Sequence, residues 1–197
     1  MKIIQLIKSK FNNWNVAIRF PRESKIFTHL TSAEKLKLFH LAKENNGKFF
    51  VEIGSYLGAS SCFIAAGIKH VARSEKKLYC IDTWENDAMS EGKRETFKEF
   101  RKNTKKYQNM ITPLRTTSVG AAKTFDKGVD FIFIDGDHSY EGVKADVDAW
   151  LPKLNKGALI IFHDIGWAEG VQRVVQENIQ PLAKKEGRLP NLYWAWL

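Results

Sequence analysis

Carboxylate and imidazole side chains cluster in two short stretches of the second half of the chain. The stretch IDGDHSYEGV carries Asp135, Asp137 and His138, and the stretch FHDI carries His163 and Asp164. Each stretch follows an apolar run typical of a buried strand, and the carboxyl ends of parallel strands meet at one edge of a sheet. Grouped there, these side chains could bind a divalent cation or exchange protons with a substrate. Capping of the helix that follows explains one of these residues, but not all of them.

A glycine-containing turn follows the first apolar run, in the sequence VEIGSYLGASS. Gly54 and Gly58 allow a ligand to lie against bare backbone, and the start of the next helix offers N–H groups to an anion. Glu52 precedes the first glycine by two residues, and its charge would attract an amino group and repel a pyrophosphate. The spacing G-x-x-x-G also differs from the G-x-G-x-x-G of dinucleotide-binding folds. A tight turn that only packs the helix is the alternative interpretation.

The second apolar run ends in Asp82, within the sequence IDTW. A carboxylate at this edge of the sheet can accept hydrogen bonds from both hydroxyls of a ribose. Alternatively, Asp82 caps the following turn through Thr83. Taken together with Glu52, Gly54 and Gly58, Asp82 resembles the cofactor motifs of class I S-adenosylmethionine-dependent methyltransferases more than those of nicotinamide dehydrogenases.

The later motifs narrow this resemblance. The run IDGDHSYEGVKADVDAW, together with FHDI, is similar to a small family related to the macrocin and aminocoumarin-sugar O-methyltransferases. The resemblance covers about residues 48–175. It implies an enzyme that methylates a hydroxyl of a sugar or secondary metabolite, with S-adenosylmethionine as its cofactor. The cofactor-binding residues that it implies are Glu52, Gly54, Ser55, Gly58, Ser60, Ser61, Asp82, Ser118 and Asp135.

In the metal-dependent relatives, carboxylates after the fourth and fifth strands bind a divalent cation such as Mg, Mn or Fe. By position, the resemblance implies Asp135, His163 and Asp164 as metal ligands and Asp137 as the general base. His163 stands where the relatives usually have a carboxylate, and imidazole suits iron or zinc better than magnesium. A metal-free enzyme in which His138 or His163 acts as the base is the open alternative.

These residues require a fold that brings several strand ends together. Short apolar runs alternate with helical patterns, which predicts an α/β fold with a Rossmann-like, doubly wound and mostly parallel sheet and helices on both faces. We expect a single methyltransferase domain over residues 1–197, with an N-terminal helical segment (1–45) and a Rossmann-like core (46–197). The predicted strands are residues 48–53, 77–82, 110–116, 129–135, 157–164 and 192–197.

Helical spacing of apolar residues fills the gaps between these strands. Thr31 is expected to cap one helix, and a second helix is expected to begin near Tyr140, include Leu154 and end at Gly157. A fold of this kind usually closes with two antiparallel strands. The sequence predicts only the last of them, residues 192–197.

The composition is that of an ordinary globular protein, with 197 residues, 44% hydrophobic residues and a formal net charge of +9. The N-terminal sequence MKIIQLIKSKFNNW is too short and too polar for a signal peptide core. It predicts a basic amphipathic helix that packs on the domain, or alternatively touches a membrane surface. Because no stretch has the roughly 20 apolar residues of a membrane span, we predict a cytoplasmic protein without a transmembrane segment. Cys62 and Cys80 lie in apolar stretches and are expected to be buried thiols.

The segment 92–110 interleaves basic and aromatic residues. An amphipathic helix with a solvated basic face is favoured there over a lid that attracts an anionic or nucleic-acid substrate. The expected partner is a hydroxylated small molecule, neutral or anionic. Nucleic acid is disfavoured because the chain contains no Asn/Asp-Pro-Pro-aromatic tetrapeptide. The alternatives are a nucleic-acid methyltransferase, a NAD-type Rossmann oxidoreductase and a non-catalytic nucleotide- or metal-binding module. Assembly into a homo-oligomer is left open.

Overall fold

A twisted sheet forms the centre of the molecule. The computed structural model describes residues 2–71, 75–85 and 92–197, and within them seven strands form one sheet in the order β3-β2-β1-β4-β5-β7-β6. The strands are β1 (Phe49–Ile53), β2 (Lys77–Asp82), β3 (Ile111–Arg115), β4 (Val129–Ile134), β5 (Leu154–His163), β6 (Lys185–Leu189) and β7 (Leu192–Trp196). Strands β1 to β5 are parallel, and β7 is antiparallel to both β5 and β6. Successive strands are added to one side of β1 up to β3 and to its other side from β4 onward, which confirms the predicted doubly wound α/β fold.

Helices cover both faces of this sheet. They are α1 (Lys2–Arg19), α2 (Ser32–Glu44), α3 (Ala59–Val71), α4 (Phe97–Thr104), α5 (Ser118–Thr124), α6 (Tyr140–Trp150) and α7 (Glu169–Val174). Helices α2, α3 and α4 pack their apolar side chains on one face, and α5, α6 and α7 pack theirs on the other. Side chains alternate along β1, so that Val51 and Ile53 face the second group while Phe50 faces the first. Glu52 shares the face of Phe50, next to α3.

Hydrogen-bonded caps fix the start of two helices near the carboxyl edge of the sheet. The Thr31 hydroxyl accepts the Glu34 N–H (3.4 Å), and the Glu34 carboxylate accepts the Thr31 N–H (2.7 Å). This capping box begins α2 where the sequence predicts it. Ser139 caps α6 by accepting the Gly142 N–H at 3.0 Å.

Three expectations about the C-terminal half are wrong. The closing pair of antiparallel strands is complete, because β6 pairs with β7. Leu154 does not end a helix, since a 3-10 turn carrying Pro152 ends the helical stretch and Leu154 begins β5. Gly157 lies inside β5 with a φ of +82°, and the pairing of β5 with β4 shifts register at this end. Glycine suits this irregular stretch because a positive φ costs it little.

The two basic segments pack against the domain as amphipathic helices. In α4, Phe100 is fully buried while Lys98 and Arg101 are exposed, which confirms the solvated basic face. Helix α1 buries Val16, and Phe20 follows it into the same apolar cluster with residues of α2 and α3. The N-terminal apolar side chains Ile3, Ile4, Leu6 and Ile7 lie outside the described side chains.

Cys62 and Cys80 are free and buried, as predicted. Among the described helices, none combines the length and the hydrophobicity that a bilayer crossing requires.

Candidate functional site

Two adjoining cavities open at the carboxyl edge of the parallel strands. The β2-side cavity, of about 430 Å³, is lined by the ends of β1, β2 and β4 and by α6. The β5-side cavity, of about 450 Å³, is lined by the ends of β4 and β5 and by residues 27–30. Both cavities share a wall made of Gly54, Tyr56, Asp135 and Gly136. The two cavities therefore adjoin at these four residues, where a molecule in one would lie next to a molecule in the other.

The turn after β1 builds part of that wall. Gly54 has a φ of +81°, and a Cβ atom on it would lie 2.0 Å from the carbonyl oxygen of Asp135. Only glycine fits so close to a neighbouring backbone. The Gly54 N–H donates to the carbonyl oxygen of Ile81 at 2.9 Å, which ties the turn to the end of β2.

Glu52 lies behind this turn and not in the lining of either cavity within the described residues. It is fully buried and accepts hydrogen bonds from the hydroxyls of Ser55 (2.7 Å) and Ser61. Burial raises the pKa of the Glu52 carboxyl, although the serine hydroxyls oppose this shift. Ser60, also near Glu52, lines the β5-side cavity. The buried carboxyl therefore ties the turn to the first residues of α3.

Asp82 lines the β2-side cavity. Its carboxylate accepts the N–H groups of Tyr56 (2.8 Å) and Trp84 (2.6 Å). The Trp84 indole N–H in turn donates to the carbonyl oxygen of Tyr56 at 2.8 Å. Asp82 thus supports the local turn through the N–H groups of Tyr56 and Trp84. Because it also lines the cavity, its binding to a ribose stays a prediction.

Ser118 and Asp146 meet at the lining of the β2-side cavity. Ser118 begins α5 and accepts the Trp150 indole N–H at 2.9 Å. Asp146 lies on α6, is only 6% exposed, and has a hydrogen bond from Ser118. Burial raises the pKa of Asp146 to about 6, although the hydrogen bond from Ser118 opposes this shift. Asp146 is not among the predicted site residues, although a carboxylate on the same helical face as the apolar residues Val143 and Trp150 is the pattern that could have indicated it.

The acid–base cluster of the β5-side cavity consists of Asp135, His138 and Asp164. One possible ligand atom from each of these residues lies within 4.8 Å of the other two. The Nε2 atom of His138 is 2.8 Å from the Oδ2 atom of Asp164. This hydrogen bond raises the pKa of His138. Two carboxylates and an imidazole at such spacing are a suitable donor set for a divalent transition metal.

His163 adjoins this cluster and also lines the β5-side cavity, so its role as a metal ligand stays a prediction beside that of His138. It is 3% exposed, and its Nδ1 atom is 3.0 Å from Asp135 Oδ1 and 3.2 Å from Asp164 Oδ1. Its Nε2 atom is 3.6 Å from Glu34 Oε2. Burial alone would lower the pKa of His163, but the surrounding carboxylates raise it to about 12. The carboxylates around His163 therefore favour its charged form, which would balance their own charge.

Asp164 is held in an unusual backbone conformation, with a φ of +58°. Its Oδ1 atom accepts hydrogen bonds from the Trp167 indole (2.7 Å) and the Asn191 amide (2.9 Å). Burial alone would raise the pKa of Asp164, but hydrogen bonds from His138, His163 and Asn191 hold it well below its usual range. Backbone strain of this kind persists where the surroundings fix a functional group.

Asp137, the predicted general base, lines the β2-side cavity, whereas His138 lines the β5-side cavity. The Asp137 carboxylate accepts the Ser139 N–H at 2.8 Å and lies against Gly142, at the start of α6. The structure therefore separates the two predicted catalytic residues and places only His138 beside Asp135 and Asp164.

A doubly wound sheet with a glycine turn after β1, an acidic residue ending β2 and a cavity between them is the arrangement of Rossmann-like nucleotide-binding folds, a group that includes the class I S-adenosylmethionine-dependent methyltransferases. Residues 51–165 match a family model described as a methyltransferase domain, and the chain belongs to this family.

Other known proteins share sequence or fold with the chain. An uncharacterized protein of Sinorhizobium fredii is 34% identical over 58% of the chain, which spans only 13% of that protein. An uncharacterized protein of Acanthamoeba polyphaga mimivirus is 30% identical over 69% of the chain, which spans 61% of that relative. In fold, the chain is similar to an O-methyltransferase from Bacillus cereus in complex with S-adenosylhomocysteine. The TM-score is 0.67 at 15% identity, with 94% of this chain and 90% of that chain covered.

Proposed function

We propose that this protein transfers the methyl group of S-adenosylmethionine to a hydroxyl of a small molecule. The observation that carries the proposal is the wall shared by the two cavities, which Gly54, Tyr56, Asp135 and Gly136 form. Methyl transfer is a displacement at a sulfonium carbon, so the acceptor oxygen must be aligned with the methyl group. A cofactor in the β2-side cavity and an acceptor in the β5-side cavity would meet at this wall.

The β2-side cavity offers a partner for each end of an adenosine. Asp82, at the end of β2, would accept hydrogen bonds from the ribose hydroxyls. Asp146 and Ser118 line the same cavity next to α6. A carboxylate that is nearly buried and has no cation in hydrogen-bond contact among the described residues is suited to accept a hydrogen bond from a neutral amino group. We assign Asp146 to the amino group of the adenine ring.

A divalent cation, where one is used, would be held by Asp135, His138 and Asp164. When bound, such a cation would supply Lewis acidity that lowers the pKa of the acceptor hydroxyl. The mixed imidazole and carboxylate donors favour manganese or iron over magnesium. The buried His163 would orient Asp135 and Asp164 from behind through its contacts of 3.0 and 3.2 Å.

A metal-free reaction is the second candidate, and the hydrogen bond between His138 and Asp164 favours it. Asp164 Oδ2 lies 2.8 Å from His138 Nε2 and would hold the proton on this nitrogen. The opposite ring nitrogen would then take the proton of the acceptor hydroxyl as it attacks. Removal of divalent cations with a chelator distinguishes the two candidates, because methyl transfer survives it only in the metal-free reaction.

The acceptor that fits the β5-side cavity is a sugar or a hydroxylated secondary metabolite in the cytoplasm. Phe27 and Trp167 line this cavity and leave 53% and 61% of their surface exposed. Exposed aromatic rings beside polar groups suit a ligand with both an apolar face and hydroxyls. The excess of positive charge in the chain also permits an anionic acceptor.

Calorimetric titration of the chelator-treated protein tests the cofactor assignment. We expect saturable binding of S-adenosylmethionine and of S-adenosylhomocysteine, and no saturable binding of NAD at the same concentrations. Binding of NAD alone would instead support a Rossmann oxidoreductase and contradict the proposal. A positive result justifies a screen of hydroxylated acceptors with Mn²⁺, Fe²⁺ and Mg²⁺.

The variant Asp137→Asn tests the base that the family resemblance implies. If Asp137 takes the proton of the acceptor, methyl transfer to an acceptor from the screen should fall by at least about 100-fold. The amide can still accept the Ser139 N–H and keeps the shape of the side chain that lines the β2-side cavity, so binding of S-adenosylhomocysteine should fall much less than methyl transfer. Unchanged methyl transfer would remove Asp137 as the base and leave His138 as the candidate.

A further inference from the structure

Helix α1 presents an apolar stripe to solvent. Phe11, Trp14 and Ile18 leave 59%, 63% and 58% of their surfaces exposed. Their spacing places them on one face of the helix, within about 60° of each other. The opposite side packs on the domain through Val16, which is 2% exposed, and Phe20 follows it into the same cluster. The stripe is therefore not needed to attach α1 to the domain.

Most of the other exposed large apolar side chains that the structure describes line one of the two cavities, whereas these three line neither. Of the large apolar side chains exposed in the described part of the chain, Phe27 and Trp167 line the β5-side cavity and Val119 lines the β2-side cavity. Leu182 stands alone on a 3-10 turn. Among the described helices, only α1 carries several exposed large apolar side chains on one face. A contiguous apolar patch of this kind marks an interaction surface.

Positive charge surrounds the stripe. Lys8 and Lys10 are exposed and lie on opposite sides of it along the helix. The sequence of α1, KIIQLIKSKFNNWNVAIR, contains no acidic residue. The helix therefore combines an apolar face that includes tryptophan with flanking lysines, which is the composition of helices that lie in the interface of anionic bilayers.

We propose that α1 binds the protein to the surface of an anionic lipid bilayer, with Phe11, Trp14 and Ile18 in the interface and Lys8 and Lys10 at the headgroups. A second copy of the chain fits less well, because paired α1 helices would bring lysines of equal charge together. Three side chains also bury much less than the roughly 800 Å² per partner of a stable protein interface. A bilayer does not require a surface of complementary shape, and the convex exposed face of a single helix does not provide one. This inference does not depend on the proposed reaction.

Flotation of the full chain with lipid vesicles tests the proposal. At about 0.1 M salt, we expect at least tenfold more protein bound to phosphatidylcholine vesicles with about 30% phosphatidylglycerol than to phosphatidylcholine alone. Salt at about 0.5 M should release most of it, because the lysine contribution is screened. Equal binding to both vesicles, or binding to neither, would overturn the proposal.

A matched pair of variants separates the stripe from exposed apolar surface in general. Trp14→Ser should reduce binding to the anionic vesicles by at least about fivefold, since a tryptophan contributes much of the interfacial affinity. Leu182→Ser removes another exposed apolar side chain and should bind as the wild type does. Circular dichroism checks that both variants fold. A lipid-free dimer that Trp14→Ser dissociates, without vesicle binding by the wild type, would assign the stripe to a second copy and reject the lipid surface.

Discussion

Replacement of Asp164 by asparagine should reduce methyl transfer by at least about 100-fold while leaving binding of S-adenosylhomocysteine within about threefold. The substitution keeps the shape of the side chain and removes its charge. Asp164 lines the β5-side cavity and does not appear in the lining of the β2-side cavity, so a cofactor in the β2-side cavity would lose no contact. The loss of activity is expected with or without a metal. If a cation is used, the substitution replaces a charged ligand by a neutral one, and if none is used, the His138 imidazole loses the carboxylate that orients it.

The two mechanisms predict different metal binding for this variant. If the wild type binds Mn²⁺, measured by electron paramagnetic resonance, Asp164→Asn should weaken that binding by at least about tenfold. If the wild type is active without any cation, the metal-assisted mechanism is rejected and only the pairing with His138 remains. Asp148→Asn is the matched control, because Asp148 is exposed on α6 and pairs with Lys144. Full activity of Asp164→Asn on an acceptor from the screen would exclude Asp164 from catalysis under either mechanism.

The part of this site that the sequence predicts is the part that lies at the ends of apolar strands. Asp82, Asp135 and Asp164 each end or directly follow a strand with a continuous apolar pattern, and parallel strands bring such ends together. The positions at which the buried strands end therefore predicted both the fold class and these three site residues.

The contributions of other elements could not be predicted in this way. Asn191, which holds Asp164, lies in the turn between β6 and β7. Strand β6 has the sequence KEGRL, lies at the sheet edge and is largely exposed, so it lacks the alternating apolar pattern of a strand. Glu34 approaches His163 from α2, about 130 residues away in sequence, and its capping role already explains its position.

The choice between His138 and His163 also depends on geometry that no pattern reveals. Both histidines lie at or shortly after the end of a strand, so the sequence pattern does not distinguish them. His163 is the last residue of β5 and points into the carboxylates behind the cluster, whereas His138 lies in the loop before α6 and reaches back across the cavity to Asp164. The family resemblance implies a metal-ligand role for His163, the residue before the aspartate. The grouping of His138 with Asp135 and Asp164 makes His138 the second candidate for this role.

Asp146 should have a large effect on which nucleoside the protein binds, because a buried carboxylate next to the adenine ring should discriminate strongly between bases. We expect the wild type to bind S-adenosylhomocysteine at least about 100-fold more tightly than S-inosylhomocysteine, in which a carbonyl oxygen replaces the adenine amino group. A carboxylate accepts a hydrogen bond from the amino group and repels the oxygen. The amide of Asp146→Asn can donate as well as accept, so the preference should fall to below about tenfold. Equal weakening of both ligands would mean that Asp146 only supports the fold.

The pH dependence gives an independent check on the same carboxyl. Its pKa is raised to about 6 from an ordinary value of 3.8, so the folded protein holds this proton more tightly than the unfolded chain. The stability that Asp146 contributes is therefore present at low pH and is lost as the pH rises from about 4 to above 6. At pH 8, Asp146→Asn should increase the free energy of unfolding by up to about 3 kcal/mol in urea denaturation, the equivalent of about two pKa units.

Ligand binding should depend on pH with the opposite sign. If the ionised carboxylate accepts the adenine amino group, wild-type affinity for S-adenosylhomocysteine should fall about tenfold between pH 7.5 and pH 5. Asp82 and Asp137 line the same cavity and could also change the affinity with pH. The pH dependence that remains in Asp146→Asn measures their contribution. A variant that is more stable than the wild type at pH 8, yet no longer distinguishes the two bases, would show that the buried charge is retained for recognition at a cost in stability. The same pH dependence in wild type and variant would exclude Asp146 as its source.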